Sequence, residues 1–430
     1  MIKRFLRKIA PKKVIDLYHL TLSKVADLVY GHPSNQLIVI GVTGTSGKST
    51  TVSFIGQMLE YAGFRVGSTS TATIKVGASE WPNDSKMTSL GRFQTQKLLR
   101  QMVRAGCTHA IIETTSQGIV QYRHLGINYD VAVFTNLWSE HIEAHGSFER
   151  YKQAKLELFR HLTRRPHKRL GGQEIPKVIV VNGSDPHAKD FLACKADRKI
   201  AFEIDPEIEV TASGASFTAL GVDMELNVPG KFNVENALAA ASVAMVLGIS
   251  VSTIASAVAH LHGAPGRFER IDEGQPFTVI VDYAFEPVAM KKMYETLSLM
   301  PHERLIQVLG SCGGGRDASR RPVLGRMAGE VADVVIVTNE DPYDDDPLQI
   351  IQEVAAGALA AGKVVDDDLL IVPDRGQAIH QAIQLAKPGD VVLVTGKGSE
   401  PVMAVARGKL IPWDDRTEAR KALQARQTPL

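Results

Sequence analysis

At 430 residues the chain exceeds what one hydrophobic core ordinarily organises, so two or three domains are expected. Its composition, 44% apolar and 22% charged, excludes a disordered, collagenous or disulfide-stapled chain, and a formal charge of +2 gives no electrostatic footprint for nucleic acid. Three cysteines, Cys107, Cys194 and Cys312, stand far apart with no CxxC pair, which argues against a zinc cluster or disulfide framework and makes a reducing cytoplasm the default setting.

The first residues are basic (Lys3, Arg4, Arg7, Lys8, Lys12, Lys13) and lack the apolar core and cleavage site of a secretory signal. Val14, Tyr18, Leu22, Val25 and Val29 then recur at spacings of three and four, which predicts a helix. The favoured reading packs that face on the protein's own body behind a solvated basic start; the alternative is contact with a membrane surface at the inner face of the membrane, or with a lipid phosphate.

From Gln36 the pattern alternates between strand and helix. Leu37-Ile38-Val39-Ile40 is a continuous apolar run of the kind a buried parallel strand requires, and Thr50 to Tyr61 has helical spacing. Similar runs at Ala110-Ile111-Ile112, Val131 to Phe134 and Val178 to Val181 predict a doubly wound parallel sheet. Lys199 to Leu226 reads as short strands, an insertion in or an extension of that sheet. Ala237 to Ile249, the most apolar stretch, is too short to span a bilayer, which takes about 20 residues, and reads as a buried helix. After the turn-rich Gly263-Ala264-Pro265-Gly266 a second βα series begins, with strands predicted at Val279 to Val281, Leu305 to Leu309, Val334 to Val337 and Val391 to Val394. The expected division is a basic helical segment over 1–36, a nucleotide-binding domain over 37–264 and a further α/β domain over 265–430.

Between the first strand and helix lies Thr43-Gly44-Thr45-Ser46-Gly47-Lys48-Ser49-Thr50, the setting of a phosphate loop. Backbone N–H groups there can cradle phosphate, Lys48 can reach the β and γ phosphates, and Ser49 can ligate Mg²⁺. The first glycine of the general pattern is replaced by Val42, with Gly41 beside it.

Further motifs follow in order: Glu113-Thr114-Thr115-Ser116-Gln117; Thr135-Asn136-Leu137 with Glu140-His141 and His145-Gly146; Tyr151-Lys152-Gln153-Ala154-Lys155; Gly230-Lys231-Phe232-Asn233; Pro265-Gly266-Arg267-Phe268-Glu269-Arg270; Val281-Asp282-Tyr283-Ala284; Gly313-Gly314-Gly315-Arg316-Asp317; and Gly396-Lys397-Gly398-Ser399-Glu400. With the phosphate loop, this series resembles the Mur ligases, ATP-dependent amide ligases of peptidoglycan precursor synthesis, and is most similar to the MurE branch. The resemblance runs from about Leu37 to the C-terminus. It implies a P-loop-type doubly wound central domain and a Rossmann-like C-terminal α/β domain, working with ATP and Mg²⁺ through an acyl phosphate.

It also implies roles for single residues. Gly44, Thr45, Ser46, Gly47, Lys48, Ser49 and Thr50 would hold the ATP phosphates, Asn233 the adenine, and Arg267 and Asp282 the phosphates and ribose. Ser49, Glu113 and His141 would hold Mg²⁺, and Lys155 would be carbamylated, an anion in place of a cation. Thr114, Thr115, Ser116, Gln117 and Arg123 would contact the peptide-type acyl donor, with Arg123 on its carboxylate. Arg316, Glu340, Asp341, Tyr343, Gly396 and Glu400 would form the site for the amino-acid acceptor.

Three departures bear on substrates. Only 36 residues precede the first strand, where the family carries a UDP-binding domain, so a donor without UDP, held by another chain, or linked to lipid is expected. The family's Asp-Asn-Pro-Arg becomes Glu340-Asp341-Pro342-Tyr343, followed by Asp344-Asp345-Asp346; five acids in seven residues favour a lysine-like acceptor over diaminopimelate. Phe285 and Ser399 stand where the family has histidines. A folylpolyglutamate-synthase-like ligase and a non-catalytic nucleotide-binding scaffold are the alternative functions.

Overall fold

The computed structural model describes residues 12–140 and 142–427. His141, Met1 to Pro11, and so the expected metal ligand and four of the six basic residues of the first segment, lie outside the described residues.

An eight-stranded sheet organises the first half. Its strand order is Arg198–Phe202, Val178–Asn182, Val131–Phe134, Ile38–Thr43, His109–Glu113, Val66–Thr69, Thr73–Val76 and Ser79–Pro82, parallel except at the last two pairings. Alternate residues of each central strand serve opposite faces. Ile40, Val42, Val131 and Val133 pack under the helices Lys48–Tyr61 and Lys231–Val246, while Val39, Ala132 and Phe134 pack under Arg92–Arg104 and Phe148–Leu162. Because both faces are covered, the strands read as unbroken apolar runs. The helix Lys231–Val246 is buried on nearly every side, as its apolar sequence requires.

Of the two expectations for the following segment, extension holds only for Arg198–Phe202, and the rest is an insertion. Glu209–Val210, Ala215–Ala219 and Val222–Leu226 form a separate three-stranded sheet. Phe217, Met224 and Leu226 turn inward from it to join the core beneath Lys231–Val246, so burying those three side chains determines where the sheet sits.

A six-stranded sheet organises the second half, in the order Glu269–Ile271, Thr278–Asp282, Val391–Thr395, Leu305–Leu309, Val334–Val337 and Leu369–Ile371. Only the first pairing is antiparallel.

The N-terminal helix, Lys12–Val29, forms where its periodicity places it but with the opposite orientation. His19, Ser23, Ala26 and Asp27 face the body, and Val14, Tyr18, Val25 and Val29 face outward; Leu22 lies between. Polar bonds fix this orientation: Ser23 Oγ donates to the Tyr122 carbonyl at 2.7 Å, Arg92 Nε donates to Ser23 Oγ at 3.0 Å, and Arg165 pairs with Asp27 at 3.2 Å. The expectation that the apolar face packs on the protein's own body is therefore corrected. No helix among the described residues is long and apolar enough to cross a membrane.

Candidate active site

The parallel strands Ile38–Thr43 and His109–Glu113 run side by side, with Val42 level with Glu113. Their carboxyl ends open into a cleft of about 400 Å³ lined by Thr45 to Thr50, Glu113, Thr115 to Gly118 and Arg123 on one side and Arg267, Asp282 to Glu286 and Arg316 on the other. Both sheets thus contribute walls to one site, at the strand ends where open α/β sheets place ligands.

The phosphate loop is braced from behind. Asn136 accepts the Ser46 N–H on its side chain and the Thr45 N–H on its carbonyl, both at 2.9 Å, and Thr135 Oγ1 donates to the Ser46 carbonyl at 2.8 Å. Gly47 caps the helix Lys48–Tyr61 at φ 77°, a left-handed conformation that favours glycine. The helix's first N–H groups have no intrahelical acceptor and face the cleft, which makes an anion site. Lys48 Nζ donates to the Thr45 carbonyl at 2.9 Å. Gly44 sits behind the cleft wall, and its carbonyl accepts from Lys155 Nζ.

Glu113 is 2% exposed and accepts from Ser49 Oγ at 2.8 Å and from the Thr71 N–H at 2.7 Å. A hydroxyl and a carboxylate in contact at the phosphate loop are hard oxygen donors, a set that fits Mg²⁺.

Lys155 is buried, with its ammonium end 4.4 Å from the centre of the Tyr151 ring. Burial and the neighbouring charge of Lys48 hold its amine well below the ordinary lysine range, against the opposite pull of Glu286 and Glu113. Glu286, also in the cleft wall, is pushed up to about 7 by burial and by Glu140, while Lys48 and Arg320 draw it down.

The donor segment divides. Thr115 caps the helix Ser116–Val120 and its N–H is bonded by Ser89 Oγ at 2.9 Å; Ser116 and Gln117 lie within 3.1 and 3.4 Å of His145 Nε2. Arg123 grips the Ser89 carbonyl and the Gln121 side chain at the cleft edge. Thr114 does not join them: it turns into the core, donating to the Ile112 carbonyl at 3.2 Å.

Asn233 also departs from its expected place. It is buried at the start of Lys231–Val246, donates to the Pro229 carbonyl at 2.7 Å and accepts from Asn236 at 3.3 Å; it is Asn236 that lines the cleft. Asp282 lines the cleft while bracing its own loop, accepting the N–H groups of Phe268 and Ala284 at 2.6 Å. Arg267 lies over the Tyr283 ring at 4.1 Å.

The acceptor residues meet in an adjoining cavity of about 70 Å³ lined by Cys312, Arg316, Glu340, Asp341, Tyr343, Gly396 and Glu400. Lys86, from the first domain, reaches into it and pairs with both Asp341 and Glu400. Lys397 shares the same carboxylates at 2.9 and 2.7 Å, and Tyr283 OH donates to Glu400 at 2.9 Å. Burial works against ionisation of Glu400, but the ammonium groups of Lys397 and Lys86 hold it at about 2. Gly396 has no room for a side chain, since a Cβ there would lie 2.3 Å from Glu340 Oε2.

The acidic run does not stand free for a cationic acceptor, and the physical basis for preferring lysine is lost. Glu340 accepts from Cys312 Sγ at 2.7 Å, Asp344 accepts the Arg407 N–H at 2.7 Å, Asp345 accepts the Gly314 N–H at 3.0 Å, and Asp346 caps the helix Pro347–Ala360. Asp341 is held by Lys397 and Lys86. Phe285 faces Arg320 at 5.1 Å, and Arg320 in turn approaches Glu140 at 3.7 Å, so the residue replacing the family's histidine forms part of an interdomain contact.

Several site residues carried no local signal. Lys86 lies in no motif and is found only through partners more than 250 positions away. His145 and Asn136 lie in quoted motifs, where adjacency to Ser116 and to the phosphate loop assigns their work.

Residues 42–244 match the Mur ligase middle domain, and residues 266–398 match the Mur ligase glutamate ligase domain. The chain is 39% identical to a UDP-N-acetylmuramyl-tripeptide synthetase of a Roseiflexus species, over 94% of this chain and 81% of that protein. It is 38% identical to a UDP-N-acetylmuramoyl-L-alanyl-D-glutamate–2,6-diaminopimelate ligase of Geobacillus kaustophilus, over 94% and 82%. A solved ligase of the latter name aligns with a TM-score of 0.61 at 28% identity, covering 95% of this chain and 84% of its own. Folylpolyglutamate synthase of Mycobacterium tuberculosis aligns with a TM-score of 0.68 at 17% identity, covering 96% of each chain, a likeness of fold alone.

Proposed function

The chain belongs to the Mur ligase family and is an ATP-dependent peptide ligase that adds an amino acid to a peptidoglycan precursor, and we propose that it works through an acyl phosphate and takes a diamino acid with a second carboxylate. In this reaction the donor's carboxylate attacks the γ-phosphorus of ATP and ADP leaves. The acceptor's amine then displaces phosphate, losing its proton, to form one amide.

The observation that carries this reading is the joining of two sites. The phosphate loop, Glu113 and the segment Thr115 to Arg123 share one cleft, and the cavity around Arg316 and Glu400 opens through shared walls at Lys86, Tyr283 and Arg316. Mg²⁺ at Ser49 and Glu113 would neutralise phosphoryl oxygens during transfer. Lys48 and the helix N–H groups hold the polyphosphate, while Arg123 orients the donor.

Carbamylation of Lys155 suits its surroundings. Attack on CO₂ requires the neutral amine, forms an N–C bond and releases one proton; burial beside Lys48 supplies the neutral amine, and the product's negative charge offsets Lys48.

For the acceptor, one cation supports a second carboxylate. Arg316 borders the cavity beside Tyr343 and makes no ion pair among the described residues, with Glu400 acting on it only at longer range, whereas Lys86 is already paired with Asp341 and Glu400. The Geobacillus relative's name specifies such an acceptor. Three free cysteines suit action in the cytoplasm. Turnover with a panel of amines tests the assignment: kcat/KM should be about tenfold or more higher for diaminopimelate than for lysine, the discrimination expected of one carboxylate–cation contact. Equal or reversed values would refute it.

A further inference from the structure

Residues Lys12–Val29 form a helix whose apolar side faces solvent. Val14, Leu17, Tyr18, Val25, Leu28 and Val29, between 40 and 67% exposed, occupy one arc at i, i+3, i+4 spacing, with Thr21 among them. The opposite side is bound to the body through Ser23, Asp27, Arg92 and Arg165, so the apolar arc is held outward by specific bonds. Exposed apolar residues scattered singly are ordinary on a protein surface, whereas a continuous stripe marks an interaction site.

Charge identifies the partner. Lys3, Arg4, Arg7, Lys8, Lys12 and Lys13 precede or begin this helix, and no acid occurs before Asp16, although the whole chain is nearly balanced at +2. Ile2, Phe5, Leu6 and Ile9 interleave with those cations. An apolar stripe adjoining a run of cations is the composition of a helix that lies in the plane of an anionic bilayer, with its apolar side among the acyl chains and the cations at the headgroups.

We infer that this N-terminal region is a peripheral membrane anchor that docks the ligase on an anionic lipid surface. It is separate from the active site, because none of the described residues Lys12–Val29 lines the cleft, and it holds whether or not the acceptor assignment does.

Flotation of the full chain with phosphatidylglycerol-rich vesicles tests the inference, with pure phosphatidylcholine vesicles as the comparison. Binding should be about tenfold or more tighter to the anionic vesicles and should weaken as salt rises. The double variant L17E/L28E should lose binding to a similar degree, as should K3Q/R4Q/R7Q/K8Q. All forms should keep Mg²⁺-dependent phosphate release, which shows that the fold and active site remain intact. Three results would overturn the inference: no flotation with either vesicle, binding unchanged in both variants, or a doubled solution mass that L17E/L28E returns to that of a single chain, which would make the arc an interface between copies.

Discussion

Lys155 illustrates how a site can be hidden in composition. In sequence it is one lysine two turns into an amphipathic helix with Lys152 close by, and only its motif distinguishes the two. In the fold they separate by environment: Lys152 pairs with Glu149 and Asp190 at the surface, while Lys155 is buried against Tyr151 and the Gly44 carbonyl. Burial beside Lys48 favours the neutral form of this amine, the form that attacks CO₂, so ¹³C-bicarbonate should give a carbamate carbon resonance that is absent in K155M. That variant should lose about 100-fold or more in kcat, the scale of removing one preorganised charge from a phosphoryl-transfer site. A labelled signal that persists in K155M, or undiminished turnover, would argue against the role. Thr114 and Asn233 show the converse. Each lies close to a true cleft residue, Thr115 and Asn236: one step along the strand end turns Thr114 into the core, while Asn233 shares the helix face of Asn236 but is covered at the helix start, bonded to the Pro229 carbonyl and to Asn236 itself.

At the scale of elements, the phosphate loop was legible because its geometry restricts its residues. Gly44 lies where a Cβ would fall 1.9 Å from Thr135 Oγ1, a contact that neither the loop nor the strand behind it can relieve cheaply. G44A should therefore weaken ATP affinity by about tenfold or more and lower the melting temperature, measured by nucleotide titration and thermal unfolding. An unchanged affinity would mean that the loop tolerates displacement. The parallel strands were legible for a related reason: both faces are buried, so each appears as an unbroken apolar run. Leu369–Ile371, a three-residue edge strand, offered too little pattern to be found. The N-terminal helix marks the limit of periodicity, which identifies a stripe but not the side to which it turns. Ser23, Asp27 and their distant arginines decide that, and no local spacing encodes them.

For the whole molecule, the decisive contacts join segments remote in sequence. Lys86 to Asp341 and Glu400, Arg320 to Glu140 and Lys292 to Glu235 all connect the nucleotide-binding half to the acceptor half. The run from Glu340 to Asp346 was misread for the same reason, since its partners, including Lys86, Lys397 and the Arg407 N–H, lie far along the chain. Removing the ammonium in K86M leaves Lys397 as the one cation paired with Asp341 and Glu400 among the described residues, loosening the tie between halves and the acceptor cavity together. The variant should show a larger radius of gyration in solution scattering and a KM for the amine raised about tenfold, with the KM for ATP changed less. Unaltered scattering together with an unaltered amine KM would show that Lys86 ties nothing.

The most direct test of ligase function is Mg²⁺-dependent phosphate release from ATP with a panel of muramyl-peptide donors, UDP-linked, UDP-free and lipid-linked, and diaminopimelate as acceptor, with the product weighed by mass spectrometry. The account predicts release only when all components are present, with a product equal in mass to donor plus acceptor less one water. Release only with a folate donor, or none under any pairing of donor and amine, would contradict it.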